Sequence, residues 1–305
     1  CGVCNGTKEK VDYVFFTTST NSWVYNPEQN AGTLEQLVYF DAGTSNAVAN
    51  ISEMITVNNR AVFTAQIPSR GRELFASDGR GALGAVNSGV VLVNDLNSGP
   101  TSSFPSELTA FGNLNESLIY TAESTAFGSE LFITNMSDWR NPTSSIVSDL
   151  SPGTTGSVPT SLTRSWRTHT GYGPMDNKTV VFAAQSSISI AGRELYITDG
   201  TPAGTILLSD INVGVGSSDP REVFHMRGNL LMSAISVPQF SFELHYVNVS
   251  SGYSELLKEL NIGATGLEPS NPRGFVAAPQ LVPLEGRDGP GTSAIFVAVK
   301  QKTYV

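Results

Sequence analysis

The chain has 305 residues, 40% of them apolar and only 15% charged, with a formal charge of −9 at neutral pH. This is enough material for one large domain or two ordinary ones, each with a full core. The acidic balance and the lack of clustered Lys and Arg exclude a nucleic-acid or anionic-membrane surface, since both need basic patches. The longest apolar stretches, "GVVLV" at 89–93 and "AIFVAV" at 294–299, have the length of single strands and fall far short of a membrane span. Low charge with abundant Ser and Thr is the balance of β-rich extracellular proteins rather than of helical cytosolic enzymes.

Residues 1–11 read as a separate N-terminal segment around Cys1 and Cys4, the only cysteines, in "CGVC". A redox Cys-x-x-Cys opens a helix after a strand, and no such pattern follows. The pair therefore reads as a terminal disulfide, a link to a neighbouring chain or a sign of missing upstream sequence. No His lies near enough to complete a zinc site, and neither metal nor cofactor is expected. A start at Cys1 without Met or leader reads as a removed signal peptide or a fragment. Asn-x-Ser/Thr sequons stand at Asn5, Asn50, Asn115, Asn135, Asn177 and Asn248, mostly where loops or strand ends are expected, as a covalent N-glycan requires.

From residue 12 onward the chain repeats. Five segments pair apolar residues with small ones: "AVFTA" 61–65, "LIYTA" 118–122, "VVFAA" 180–184, "LLMSA" 230–234 and "AIFVA" 294–298, with "YVFFTT" 13–18 a looser copy. Their centres, Phe16, Phe63, Tyr120, Phe182, Met232 and Phe296, lie 47 to 64 residues apart, the period of an array of small β-units. "ELF" at 73–75 and 130–132, "ELY" at 194–196 and "ELH" at 243–245 follow at hairpin distance. Then comes a short apolar strand ending in an acid, at Asp41, Asp95, Asp149, Asp210 and Glu259, followed by a Gly/Ser/Pro turn and a fourth strand. The pattern predicts an all-β fold, a β-propeller of about six blades. Its blades fall near 12–59, 60–114, 115–177, 178–229 and 230–291, with a partial sixth at 292–305. Residues 12–305 thus form a single propeller domain, its last blade completed by missing sequence, by the N-terminal segment or by another molecule.

"GRELYITDGTPAGTILLSDINVGVGSSDP" resembles the ELWxxDGT repeats of secreted and surface proteins. Glu194, Leu195, Asp199, Gly200, Thr201, Gly204, Thr205 and Asp210 fall on that pattern, with Tyr196 in place of Trp. Copies at 71–109 and 128–163 match in part, and the first and fifth units hardly at all. The resemblance implies an exported repeat protein with propeller-like units, and carries over no catalytic residue.

Repetition argues for structure over catalysis. Glu73, Glu130, Glu194 and Glu243 recur at one place in the middle units, so a buried or half-buried acceptor of backbone N–H bonds, or a partner for a neighbouring Arg such as Arg72 or Arg193, is expected there. Asp95, Asp149 and Asp210 read as caps of the turn after the third strand, and Asp-Gly at 78–79 and 199–200 as hairpin turns. Calcium-loop spacing and nucleophile or phosphate-binding motifs are absent from the sequence. What does not repeat is the excursion at 164–177, where Arg164, Trp166, Arg167, His169 and Tyr172 would make a sugar- or protein-contact patch. Asp138, Trp139 and Arg140 form a second such patch. The expectation is a non-enzymatic extracellular or cell-surface glycoprotein, a scaffold or interaction module that serves as a subunit of a surface assembly or fibre. Its partners would be further protein subunits, copies of itself foremost, or cell-surface glycans. The alternatives are a glycan-binding, lectin-like propeller and a glycan hydrolase or lyase built from scattered carboxylates.

Overall fold

A computed structural model describes residues 14–26, 33–41, 44–79, 89–112, 114–165, 178–226, 228–237, 241–258, 271–279 and 292–297. Among them the chain is all β, built of antiparallel sheets in sequence order and without a helix. It divides into two compact units, the first comprising Cys1–Ser106 with Asn135–Ser144, the second Glu107–Thr134 with Ser145–Val305.

In the first unit, β1 (Val14–Thr17), β2 (Ser22–Asn26) and β3 (Thr33–Gln36) make a three-stranded sheet. Strands β4 (Val38–Asp41) and β5 (Thr44–Ala47) pair as a separate hairpin. The sequence pattern puts the strand ending at Asp41 third in a four-stranded blade, but it follows β3 after Leu37 alone. That residue continues the pairing to Ser22 and leaves β4 to turn back on β5. A four-stranded sheet follows: β6 (Met54–Val57), β7 (Arg60–Ile67), β8 (Gly71–Ser77) and β9 (Val90–Asn94). Val24, Leu37 and Val48 pack with Phe63, Phe75 and Val90 in one core, where the Phe63 and Phe75 rings stack at 6.3 Å.

The second unit holds three more four-stranded sheets. They are β10 (Ser106–Phe111), β11 (Ser117–Ser124), β12 (Gly128–Asn135) and β13 (Thr143–Ser148); β14 (Thr160–Ser165), β15 (Thr179–Gln185), β16 (Arg193–Thr198) and β17 (Ile206–Ser209); and β18 (Arg221–Met226), β19 (Asn229–Ile235), β20 (Phe242–Asn248) and β21 (Ser254–Lys258). A last pair joins β22 (Arg273–Pro279) to β23 (Thr292–Val297). The second strand of each four-stranded sheet is buried on both faces, as the runs VVFAA and LLMSA in β15 and β19 show. This is why those strands read as unbroken apolar runs rather than alternating ones. Phe182 and Tyr196 on one face of their sheet pack with Ile119 and Leu131 of the sheet before, and Val181 and Leu195 on the other face with Leu230 and Met232 of the sheet after.

The phase of the repeat differs from the sequence reading. The pattern puts segments 106–111 and 160–165 fourth in the units ending near 114 and 177, whereas each is the first strand of the following sheet, as are 221–226 and 273–279. The connections that precede them run ten residues or more, too long for a hairpin and free to carry the chain onward. Phe182→Ala removes a fully buried ring between two sheets and is expected to lower the unfolding free energy by about 3–5 kcal/mol, measured by urea denaturation.

Candidate functional site

The four recurrent glutamates are buried side by side with small hydroxyls. Glu130, in β12, accepts the N–H of Ser157 at 2.8 Å, its Oγ–H at 2.5 Å and the N–H of Ser151 at 3.2 Å. Glu194, in β16, accepts the N–H and Oγ–H of Ser218 at 2.7 and 2.5 Å and the N–H of Ile211 at 2.8 Å. Glu73, in β8, takes the N–H of Ser103 at 2.8 Å and its hydroxyl as well. Glu243 takes the hydroxyl of Ser241 at 3.2 Å. In the second unit the carbonyls of Ser157 and Ser218 also accept the N–H of Gln185 and Ile235 in the next sheet, so one serine stitches two sheets together.

The arginines do not pair with these acids. Arg72 donates to Ser52 and to the carbonyl of Asn50, at 2.8 and 2.9 Å. Arg193 donates to Asp219, Thr160 and the carbonyl of Val158, at 3.1, 2.5 and 2.7 Å. Glu73, Glu130 and Glu194 take their donors from serine and backbone groups, and the longer guanidinium reaches past them to the neighbouring connections. The three serines stand in "SFP", "SVP" and "SDP", a repeated signal that would have identified them in the sequence.

The strand-end acids behave unlike one another. Asp210 accepts the N–H of Gly214 at 3.1 Å, Asp95 pairs with Arg70 at 2.6 Å, and Oδ1 of Asp95, Asp149 and Asp210 is buried without a hydrogen bond. Asp199 accepts both the N–H and the hydroxyl of Thr201, and Gly79 and Gly200 take positive φ, 79° and 87°, as their turns require. Among the described residues no group of three or more His, Cys, Asp or Glu is placed to hold a metal ion, and no helix is long and apolar enough to cross a membrane.

Of the predicted contact patch, Arg164 donates to the Asn115 side chain at 2.9 Å, while Trp166, Arg167, His169 and Tyr172 lie outside the described residues. So do Cys1, Cys4, Asn5 and Asn177. The second patch is corrected. Trp139 is only 8% exposed, clasped between Arg60 and Arg140 at 5.0 and 4.6 Å from its ring, so cation–π contact spends the face that a ligand would need. Asn135 is exposed, with its Oδ1 accepting the Ser137 N–H at 2.8 Å, whereas Asn248 donates its amide to Asn229.

Sequence reasoning missed an exposed apolar knob. Ile188 and Ile190, in the loop from β15 to β16, and Val213 and Val215, in the loop leaving β17, are 75 to 86% exposed. The loops are held: Ser186 donates to Leu150 O, Asn212 to Ser217 O, and the N–H of Arg193 to Ser217 Oγ. They touch at Gly192, where a Cβ would strike the carbonyl of Gly216. The alternation in "SISIAG" and "NVGVG" carries the signal, though it imitates strands.

No protein-family model and no curated protein matches the chain. Solved structures similar to it include a nidogen–laminin complex, at 11% identity and TM-score 0.39 over 86% of this chain and 81% of that one. Oligopeptidase B from Leishmania major has 14% identity and TM-score 0.44 over 96% of this chain and 38% of that one. A lectin from Burkholderia pseudomallei has 12% and 0.31 over 93% and 84%. The chain spans less than half the length of the puromycin hydrolases it also resembles, 47% and 48%. These remote likenesses carry no functional weight.

Burial pushes the carboxyls of Glu73 and Glu130 up from 4.5 to about 7, against the pull of their serine donors and with help from the charges of Asp95 and Asp149. The folded protein therefore binds these protons more tightly than the unfolded chain. The stability they contribute is complete below pH 4.5 and is lost as the pH rises through 7. Urea denaturation should show stability falling between pH 5 and pH 8, and Glu130→Gln should flatten that slope.

Proposed function

We propose that the chain is a non-enzymatic interaction module of ELWxxDGT-repeat type, a β-propeller of about six blades exported to the cell surface or beyond, where it joins further copies of itself. The observation that carries this reading is the apolar knob. Four aliphatic side chains, each 75 to 86% exposed, stand on two braced loops that meet at Gly192 and Gly216, and apolar exposure concentrated on adjoining loops is what an interaction site presents. No charged residue lies in 186–192 or 211–217, and the chain carries −9, so a protein surface fits the knob better than an anionic membrane does. The recurrent glutamates support the same reading, because their lone pairs are committed to serine and backbone donors rather than open to a substrate.

Export as a glycoprotein is supported by the exposed sequon at Asn135. The test replaces Ile188, Ile190, Val213 and Val215 together by Ser. Sedimentation should show concentration-dependent association of the native chain and its loss in the variant, with an unchanged melting temperature. A native chain that stays monomeric at every concentration would count against self-association.

A further inference from the structure

The first sheet lacks the glutamate–serine stitch. Phe16 pairs with Trp23 as Phe63 pairs with Phe75, and two residues on, Thr18 and Asn21 are joined where the third sheet pair has Ala65 and Glu73. Asn21 thus stands in the place of the buried glutamate. Ala49 exchanges both backbone hydrogen bonds with Gln66, as Ser157 accepts from Gln185, so Ala49 stands in the place of the serine. Asn50 then takes φ 51°, matching Phe104, Val158 and Asp219 at 46°, 50° and 45°. The backbone half of the junction is kept and its side-chain half is gone.

A groove of about 530 Å³ lies there, lined by Ser19, Thr20, Asn46, Asn50, Gln66 and Pro68, with the alanine methyls of 47 and 49. That volume is within the range of small-ligand sites, about 300–1,000 Å³. Its polar lining consists of hydroxyls and carboxamides, without one ionisable side chain, in a chain of charge −9. The Ser19 hydroxyl and the Asn50 and Gln66 carboxamides have no hydrogen-bond partner among the described residues. A carboxamide offers a donor and an acceptor side by side, which matches a pair of adjacent hydroxyls, and the flat Pro68 and alanine surfaces suit the C–H face of a ring. We propose that this groove binds a neutral saccharide of one or two sugar units, with Asn50 and Gln66 as its hydroxyl-reading residues. The site is independent of the knob and of self-association.

The test uses the full chain with Asn50 unmodified, titrated with lactose, cellobiose and N,N′-diacetylchitobiose by calorimetry and saturation-transfer NMR. At least one should bind. Asn50→Gly, which suits the positive φ, and Gln66→Leu, on an exposed side chain, should each weaken binding about tenfold, the worth of one or two neutral hydrogen bonds. Their melting temperatures should match the native chain. The proposal is overturned if no saccharide binds, if both variants bind as well as the native chain, or if a neutral Gly/Ser/Asn hexapeptide occupies the groove and the saccharides do not. It is also overturned if the native protein carries an N-glycan at every Asn50, which would fill the groove.

Discussion

In the second unit a buried carboxyl group reaching one serine governs how one sheet is joined to the next. Glu130 and Glu194 have no exposed surface, and each is met by an N–H and an O–H from the same serine. Each such hydrogen bond contributes about 0.5–1.5 kcal/mol net, and leaving the buried acceptor unmatched would cost about 1–3 kcal/mol. This attraction offsets a local penalty: the residue after each serine is forced to positive φ, even when it is Phe104 or the β-branched Val158, at about 1–3 kcal/mol. The strain recurs at one place in successive sheets, so it belongs to the junction rather than to a ligand site.

The rest of the architecture follows from that junction. Because the serine carbonyl also holds the second strand of the following sheet, neighbouring sheets in the second unit come close enough to bury both faces of their middle strands. Positive φ at Glu107, Ser161 and Glu222, the last two within register shifts, lets side chains cross between first strands. Glu107 accepts the N–H of Leu162, and Glu222 that of Gly274. With the acids committed to these tasks, functional variety is left to the loops and to the copy in which the stitch has been lost. The knob is an instance of the former and the Asn50 groove of the latter.

Where one repeat departs from the others, the loss of a structural bond becomes an opening for recognition. Replacing a glutamate by Asn21 and a serine by Ala49 removes a buried charge and its donor together, which avoids leaving either one unmatched. The resulting space keeps neutral polar walls. Recognition there depends on hydrogen bonding and shape, without the long-range attraction that a charged site exerts.

Much of the fold was legible in the chain itself. Apolar runs of strand length, Asp-Gly turns and the recurrence of Glu-Leu-aromatic determined an all-β repeat, four of whose sheets have the four strands the pattern implies, because burial and turn geometry act on neighbouring residues. The burial of Glu73, Glu130 and Glu194 was readable for the same reason, being a need that every copy shares. Three things were decided only in three dimensions: which sheet the fourth strand joins, that Trp139 is clasped rather than presented, and that Ile188, Ile190, Val213 and Val215 face outward. An unbroken or alternating apolar run has the same appearance in a strand as in a loop. The difference lies in contacts between residues far apart in the chain, and only the folded packing supplies them.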